Sequence, residues 1–393
     1  MTCLQYKDFS HNEPKMQKRN LELDGIRGWA AASVLFFHLI NEMFGALFPQ
    51  FRNPLTHIFF NGGLAVAIFF VLSGDALSIS YFRTNSYRSL DSILIKRYFR
   101  LTVPILMSCS IVYALMRSGL TFNIQAAAIV HREDWLGAAI NFNPSLLGML
   151  RYSLISVYDA HTVAISYNPY LWTMSVEMVG SFVVILYLYM SRRLSYPTQT
   201  LITAIVFLYL IRSFNALFLI GVLFAQLRSN GFFDKQMTGT KFRLCRGALA
   251  AAMIAILIVT NEMPGVQGHV NMLVAPVLVY CFYTSKSAIA FFSNKISVFL
   301  GEISFPLYLV HFAIISSLTS YLVIEAYNRS ALNVTNAWLI IAASVAASIT
   351  AAIAFRWVEA RALILIDRIP KILLLPSDKS CLNTQKETAN ASV

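Results

Sequence analysis

Long apolar runs separated by short polar stretches repeat along most of the chain. A helix that spans a bilayer needs about 20 mostly apolar residues. By that criterion the pattern predicts spans at 25–48, 58–80, 101–117, 170–190, 200–211, 214–227, 248–260, 270–283, 304–324 and 337–357. Arg212 interrupts the apolar run at 200–227, where the polar residues form either a tight outer turn or a polar site within a span. The expected fold is all-α, a polytopic membrane bundle of about ten transmembrane helices.

Lysine and arginine concentrate in alternate connecting segments, beginning with the N-terminal one. The positive-inside rule therefore predicts that both termini face the cytoplasm. We expect a cytoplasmic segment at 1–24, a transmembrane domain at 25–357 and a cytoplasmic amphipathic, disordered tail at 358–393. Residues 1–24 lack an apolar core, so we expect no cleavable signal peptide and insertion directed by the first span. The outer segment 118–169 is too short for a separate catalytic domain.

The composition supports this classification. The 393 residues are 57% hydrophobic and 13% charged, with a mean hydropathy of +0.61, whereas soluble domains carry about 25% charged residues. The net charge of +12 does not predict a nucleic-acid partner, because the basic residues flank apolar spans and form no patch interleaved with aromatic residues. The five cysteines lie far apart, which predicts neither a metal site nor a redox motif.

The first predicted span carries ionisable residues that are costly in a membrane. Arg27 and His38 are eleven positions apart, close to three helical turns, so they share a face, with His38 roughly 16 Å deeper. Asp24 lies on about the same face. Ionisable side chains near the bilayer centre are functional candidates by default. The alternative for His38 is a hydrogen bond to a neighbouring helix.

Two later spans carry similar residues. Trp172 fits the aromatic belt at the outer interface, and Glu177 lies about 10 Å deeper. The alternative role for Glu177 is an ion pair with arginine or histidine that fixes helix registry. Tyr308 and His311 are i,i+3 neighbours on one face. His38, Glu177 and His311 all come out in the middle third of the membrane, which predicts a shared polar cavity.

Arg97 and Arg100 lie one helical turn apart at the predicted cytoplasmic surface. Paired guanidinium groups suit phosphates, although positive-inside anchoring is an equally simple explanation. Ser73 and Gly74 near the inner end of the second span indicate either close helix packing or a site. Asp75 follows them directly.

Five segments together resemble one family in the order of their motifs. They are Leu23–His38 (L-D-G-x-R-G, then His), Val66–Gly74 (F-F-V-L-S-G), Lys96–Pro104 (R-x-x-R-x-x-x-P), Leu171–Glu177 (L-W-T-x-S-V-E) and Gly301–His311 (G-x-x-S-x-P-x-Y-L-x-H). The chain resembles the acyltransferase 3 family, multi-pass membrane acyltransferases that modify cell-surface polysaccharides, lipopolysaccharide, nodulation factors and some antibiotics. It departs from the family at Asp75, where an apolar or aromatic residue is usual, and at Val358–Ala360, which lacks a nearby proline.

The resemblance implies an acyl-CoA-dependent O-acyltransferase of the plasma membrane, with acetyl-CoA the commonest donor and no metal. The acceptor implied is a hydroxyl of a carbohydrate or a lipid-linked sugar. The family's functional residues carry over to Arg27 and His38, with Arg97 and Arg100 as donor-side candidates. Glu177 and His311 match further motif positions.

Chemical reasoning assigns roles to the same residues. Histidine is the usual general base near neutral pH, so His38 would either deprotonate the acceptor hydroxyl or carry the acyl group itself. Arg27 would hold a CoA phosphate or the thioester oxyanion, and Arg97 and Arg100 the nucleotide phosphates. Glu177 or His311 would orient the acceptor or relay its proton. The residues expected to contact substrate are Trp172, Tyr308, Asp24 and Ser73.

Two other functions fit the span pattern. One is a proton-coupled transporter, in which Asp24, His38, Glu177 and His311 form a proton relay. It predicts no thioester cleavage and gives no reason for an arginine pair at the cytoplasmic surface. The other is a passive scaffold subunit of a polysaccharide export complex.

Overall fold

The computed structural model describes residues 20–233, 239–260 and 263–374. In these ranges the chain forms helices and no strand. Eight of the described helical segments are long and apolar enough to cross a membrane: Leu21–Phe44, Thr56–Thr84, Tyr87–Arg117, Pro169–Ser191, Thr240–Val259, Gly265–Tyr283, Ser304–Asn328 and Val334–Ile366. Pro197–Leu210 and Asn215–Ser229 are shorter apolar helices. These segments coincide with the predicted spans, which confirms the polytopic helical bundle.

The helices are numbered in chain order. The first half comprises α1 (Leu21–Phe36), α2 (Pro54–Phe59), α3 (Gly62–Thr84), α4 (Tyr87–Arg117), α5 (Asn123–Val130), α6 (Leu146–Arg151), α7 (Val157–Asp159), α8 (Thr173–Ser191), α9 (Pro197–Leu210) and α10 (Asn215–Ser229). The second half comprises α11 (Thr240–Val259), α12 (Pro264–Tyr283), α13 (Lys286–Phe292), α14 (Lys295–Glu302), α15 (Ser304–Ile314), α16 (Ser320–Asn328), α17 (Val334–Ile366) and α18 (Ile369–Leu373). A π-helical stretch, Phe37–Phe44, continues α1, and another, Ile315–Thr319, joins α15 to α16.

Two spans extend furthest beyond their predicted limits. The span expected at 101–117 is the second half of α4. The first half of this helix contains the basic residues that the hydropathy criterion had assigned to a loop. The last span continues past 357 to the end of α17 at Ile366. The disorder predicted for the tail and most of the N-terminal segment lie outside the described residues.

The interrupted apolar run at 200–227 forms two helices that are joined by a tight turn. Helix α9 ends at Leu210 and α10 begins at Asn215. Between them Arg212 adopts a left-handed conformation with φ 58°, which lets the chain reverse over a few residues. The polar residues of this run therefore connect two short helices and do not form a site within one span.

Glycines let α3 and α10 pack backbone against backbone. A Cβ atom on Gly74 would overlap the carbonyl oxygen of Phe218, and one on Gly221 would overlap that of Val71. Gly74 thus has the packing role that the sequence left open. The segment 118–169 folds into short helices that bury Ala126, Ala127 and Leu136 in the main hydrophobic core, so it closes one end of the bundle.

Candidate active site

Two pockets lie among the predicted site residues. The larger pocket lies at the end of the bundle where α1 begins and α17 ends. Its volume is about 560 Å³. Basic and acidic side chains both line it: Arg27, Lys96, Arg97, Arg100, Asp24, Glu177, Glu302 and Glu359. Ser73, Thr173 and Tyr308 contribute hydroxyl groups. The predicted residues Asp24, Arg27, Ser73, Arg97, Arg100 and Glu177 therefore meet in one polar cavity.

Arg27 reaches this pocket because α1 packs closely on α14. A Cβ atom on Gly28 would overlap the backbone of Leu300 and Gly301, and one on Gly301 would overlap the carbonyl of Asp24. Gly28 of the L-D-G-x-R-G motif and Gly301 of α14 thus let the two helices approach beside the arginine. Nη2 of Arg27 donates a hydrogen bond to the carbonyl oxygen of Leu72 at 3.2 Å, which ties its side chain to α3 at the pocket wall.

Glu177 is an ion-pair partner of Arg97. Nη2 of Arg97 pairs with Oε1 of Glu177, and Nε donates to the hydroxyl of Ser181 at 2.7 Å. This is the ion-pair alternative that the sequence had left open for Glu177. The prediction that Glu177 shares a cavity with His38 is wrong, because Glu177 lines the larger pocket and His38 a different one. Arg100 is exposed and lines the larger pocket on the same side of α4 as Arg97.

The smaller pocket, of about 130 Å³, lies next to the larger one. His38 lines it together with Tyr170, Trp172, Thr173 and Tyr308, and its apolar wall comprises Val34, Phe37, Gly62, Gly63 and Val66. Trp172 is 41% exposed. Of the predicted substrate residues, Trp172 therefore belongs to the smaller pocket, and Asp24 and Ser73 to the larger.

His38 occupies the π-helical continuation of α1. Wide turns of this kind occur often at functional sites. The imidazole stacks on Tyr170 at a centroid distance of 4.0 Å, and it lies 5.4 Å from His311 and 5.7 Å from Trp135, with interplanar angles of 10°, 24° and 12°. The structure thus brings His38 and His311 together, as the sequence predicted from their depth.

The wall between the pockets consists of Val66, Thr173 and Tyr308, which line both. The hydroxyl of Tyr308 donates to the carbonyl oxygen of Tyr170 and lies 2.7 Å from the hydroxyl of Thr173, which then donates to it. Arg27 and His38, on one face of the same helix, therefore lie in adjoining pockets separated by this hydroxyl pair.

The segment 118–169 closes the stack around His38. Arg132 pairs with Glu42, its Nη2 lying 2.7 Å from Oε2, and its Nη1 donates to the carbonyl of the same residue at 2.9 Å. Burial opposes the charge of Arg132, but Asp134 and Glu42 outweigh it and raise the arginine pKa. The guanidinium lies 5.3 Å from the centre of the Trp135 ring, so the ion pair holds Trp135 against His38.

Sequence reasoning had not identified Tyr170, Arg132 or Glu42 as parts of the site. Tyr170 stood two residues before the predicted Trp172, but only the fold shows that its ring covers His38. Arg132 and Glu42 are ninety positions apart in sequence, so no local signal linked them. No group of His, Cys, Asp or Glu in the described part of the chain is arranged to hold a metal ion.

Comparison with known proteins places this geometry in a family. Residues 20–357 match the acyltransferase 3 family model, described as an acyltransferase domain. The O-acetyltransferase PaAT-1 of Phomopsis amygdali is 27% identical over an alignment of 205 positions, which covers 45% of this chain and 41% of that protein. The matched region thus spans less than half of that relative's length. No solved structure matches the chain significantly. Because the family model covers the smaller pocket, all but two lining residues of the larger one and every helix from α1 to most of α17, this integral membrane protein belongs to the acyltransferase 3 family.

Proposed function

We propose that the protein is an O-acyltransferase that moves an acyl group from acyl-CoA to a hydroxyl group of a carbohydrate or lipid-linked sugar. The family assignment supports acyl transfer. The name of the Phomopsis relative, an O-acetyltransferase, makes acetyl-CoA the first donor to test. The runs of basic residues favour a plasma-membrane orientation in which the larger pocket faces the cytoplasm.

The larger pocket suits the donor. Coenzyme A carries several phosphates, and guanidinium groups recognise phosphate oxygens through paired hydrogen bonds. Arg27, Lys96 and Arg100 line a cavity of about 560 Å³, within the usual range for ligand sites. Arg97 already holds Glu177, so we assign phosphate binding first to Arg100 and Arg27.

The smaller pocket suits the acceptor hydroxyl. His38 takes the proton of this hydroxyl while its oxygen attacks the thioester carbonyl. The new C–O bond forms and the C–S bond breaks, and the histidinium returns its proton to the departing thiolate, which leaves as CoA. The hydroxyls of Thr173 and Tyr308 lie between the pockets. Tyr308 already donates to Tyr170, so Thr173 is the group that would turn its hydrogen from Tyr308 to the developing oxyanion.

The observation that carries this proposal is the adjoining position of the two pockets. A cavity lined by four basic and four acidic side chains, including Arg27, and a compact cavity that contains His38 share the wall of Thr173 and Tyr308. An acyl group that moves from the donor in the larger pocket to the acceptor in the smaller one would therefore cross only the wall that bears these two hydroxyl groups. A proton relay would not require the guanidinium groups of the larger pocket.

The test is acetyl transfer by the purified protein. We expect CoA release from radiolabelled acetyl-CoA, with label transferred to a component of a membrane extract that supplies acceptors. His38→Ala should lower the rate by about 10²-fold or more, because general base catalysis is lost. Arg27→Ala should raise KM for acetyl-CoA. His131→Asn and Arg83→Ala are matched controls, since both residues are exposed and line neither pocket.

Several outcomes would contradict the proposal. CoA release that persists in His38→Ala would place the chemistry away from the smaller pocket. Proton flux into proteoliposomes without any thioester cleavage would support the transporter instead.

A further inference from the structure

His311 lies beside His38, the proposed general base, and one of its own ring nitrogens has a hydrogen-bond partner in the structure. Its ring is 1% exposed, and its Nδ1 lies 3.0 Å from the carbonyl oxygen of Leu307. A carbonyl oxygen can only accept, so Nδ1 carries the hydrogen. In a neutral imidazole the other nitrogen is then an acceptor. Nε2 of His311 is therefore a buried acceptor, and no described residue donates to it.

His38 has the complementary requirement. It lines the smaller pocket, and its Nδ1 is buried without a hydrogen-bond partner in the described ranges. A general base needs a lone pair on the nitrogen that faces the acceptor. If Nε2 of His38 has that lone pair, Nδ1 must carry the hydrogen and needs an acceptor of its own.

Other polar groups around His38 fit this requirement less well. Glu42 is held by Arg132 through side chain and backbone. Tyr170 stacks face to face on His38, and its hydroxyl, itself without a partner among the described residues, extends from a ring parallel to the imidazole. His311 offers a buried acceptor nitrogen without a partner among the described residues, on a ring 5.4 Å away at an interplanar angle of 24°.

We propose that His311 is a positioning residue for His38, and this inference rests on the proposed function. Nε2 of His311 accepts a hydrogen bond from a water molecule that in turn accepts one from Nδ1–H of His38. That bond keeps the lone pair of His38 on Nε2, towards the acceptor hydroxyl. When His38 takes the acceptor's proton, the same bond stabilises the positive charge until the proton passes to the thiolate of CoA. The role resembles that of the aspartate in a Ser-His-Asp triad, with a neutral acceptor in place of a carboxylate.

The kinetic test compares two substitutions of similar size. His311→Met removes the acceptor and should lower kcat by about 10²-fold while KM for acetyl-CoA is unchanged, because the larger pocket is not altered. His311→Gln retains an acceptor oxygen and should recover most of the rate. Tyr170→Phe retains the stacked ring and should have a smaller effect than His311→Met. In a His38→Ala background, His311→Met should cause no further loss, since groups that act as one unit are not additive.

A second measurement is independent of activity. In protein labelled with ¹⁵N-histidine, nitrogen NMR should show His38 protonated on Nδ1 at neutral pH, and His311→Met should remove that preference. An unchanged His38 tautomer in His311→Met would overturn the inference, as would an equal loss of kcat in the wild-type and His38→Ala backgrounds. Absence of acetyl transfer by the wild type would instead contradict the proposed function, and the tautomer measurement would still test His311.

Discussion

The carboxylate of Asp75 shows how one residue is explained only by its contacts. It is fully buried, and Nη2 of Arg228 lies 2.9 Å from its Oδ2. The hydroxyl of Tyr283 donates to the same oxygen at 2.7 Å. Asp75 lines neither the larger nor the smaller pocket. The carboxylate that departs from the family pattern therefore has a structural role. Its ion pair with Arg228 joins α3 to α10, and its hydrogen bond from Tyr283 joins α3 to α12.

Asp75→Asn should destabilise the protein strongly. The asparagine leaves the charge of Arg228 buried without a counter-charge, a change that typically costs about 3–5 kcal/mol. Glu325→Gln is the matched control, because its pair with Arg329 lies at the surface and such pairs contribute about 0–1 kcal/mol. The measurement is the midpoint of thermal unfolding in detergent. Equal midpoints for the two variants would show that the Asp75 pair is not a stabilising contact.

At the scale of elements, the contact between α1 and α14 sets the position of Arg27. Gly28 allows the two helices to touch where any side chain would overlap backbone. Both helices also contribute to the larger pocket, so their separation controls its shape. The arginine motif is therefore as much a packing motif as a chemical one.

Gly28→Ala should lower stability and weaken donor binding together. The added methyl forces α14 away from α1, and such overpacking costs about 1–3 kcal/mol. Gly247→Ala is the control, since a Cβ there has no described atom within 4 Å and alanine favours a helix by about 1 kcal/mol over glycine. Thermal unfolding and KM for acetyl-CoA measure both effects. Unchanged values in Gly28→Ala would mean that α14 shifts without affecting the pocket.

At the scale of the whole molecule, the larger pocket and the exposed Cys245 lie at the same predicted cytoplasmic end. Cys109 and Cys281 are buried, so they should not react with an impermeant reagent. Cys3 and Cys381 lie outside the described residues and can be replaced by serine. The single accessible cysteine then reports the orientation of the bundle.

In a Cys3→Ser, Cys381→Ser background, an impermeant maleimide should label Cys245 in inside-out vesicles and not in right-side-out vesicles. The reason is the concentration of basic residues on that side of the membrane. Arg329→Cys, in a connection predicted to be outer, should show the reverse preference. Labelling of Cys245 from the outside would place the proposed donor pocket on the wrong side for cytoplasmic acyl-CoA.

The depth of each ionisable residue along its helix could be predicted, because the rise per residue is constant. His38 and His311 came out at similar depth, and their rings indeed lie 5.4 Å apart. Glu177 came out at the same depth, yet it faces Arg97. Rise per residue gives depth and not the neighbour that each face meets, so the partner of Glu177 could not be predicted.

The sequence by itself determined the helical membrane fold, the positions of the spans and the family, because hydropathy and short motifs are local properties of the chain. Only the tertiary structure decided that Arg27 and His38 lie in adjoining pockets, that Tyr170 covers the histidine and that Arg132 holds Trp135 in place. These contacts join residues far apart in sequence, and they depend on how the helices rotate and approach one another. That packing is set by the sum of many side-chain contacts, which no single motif records.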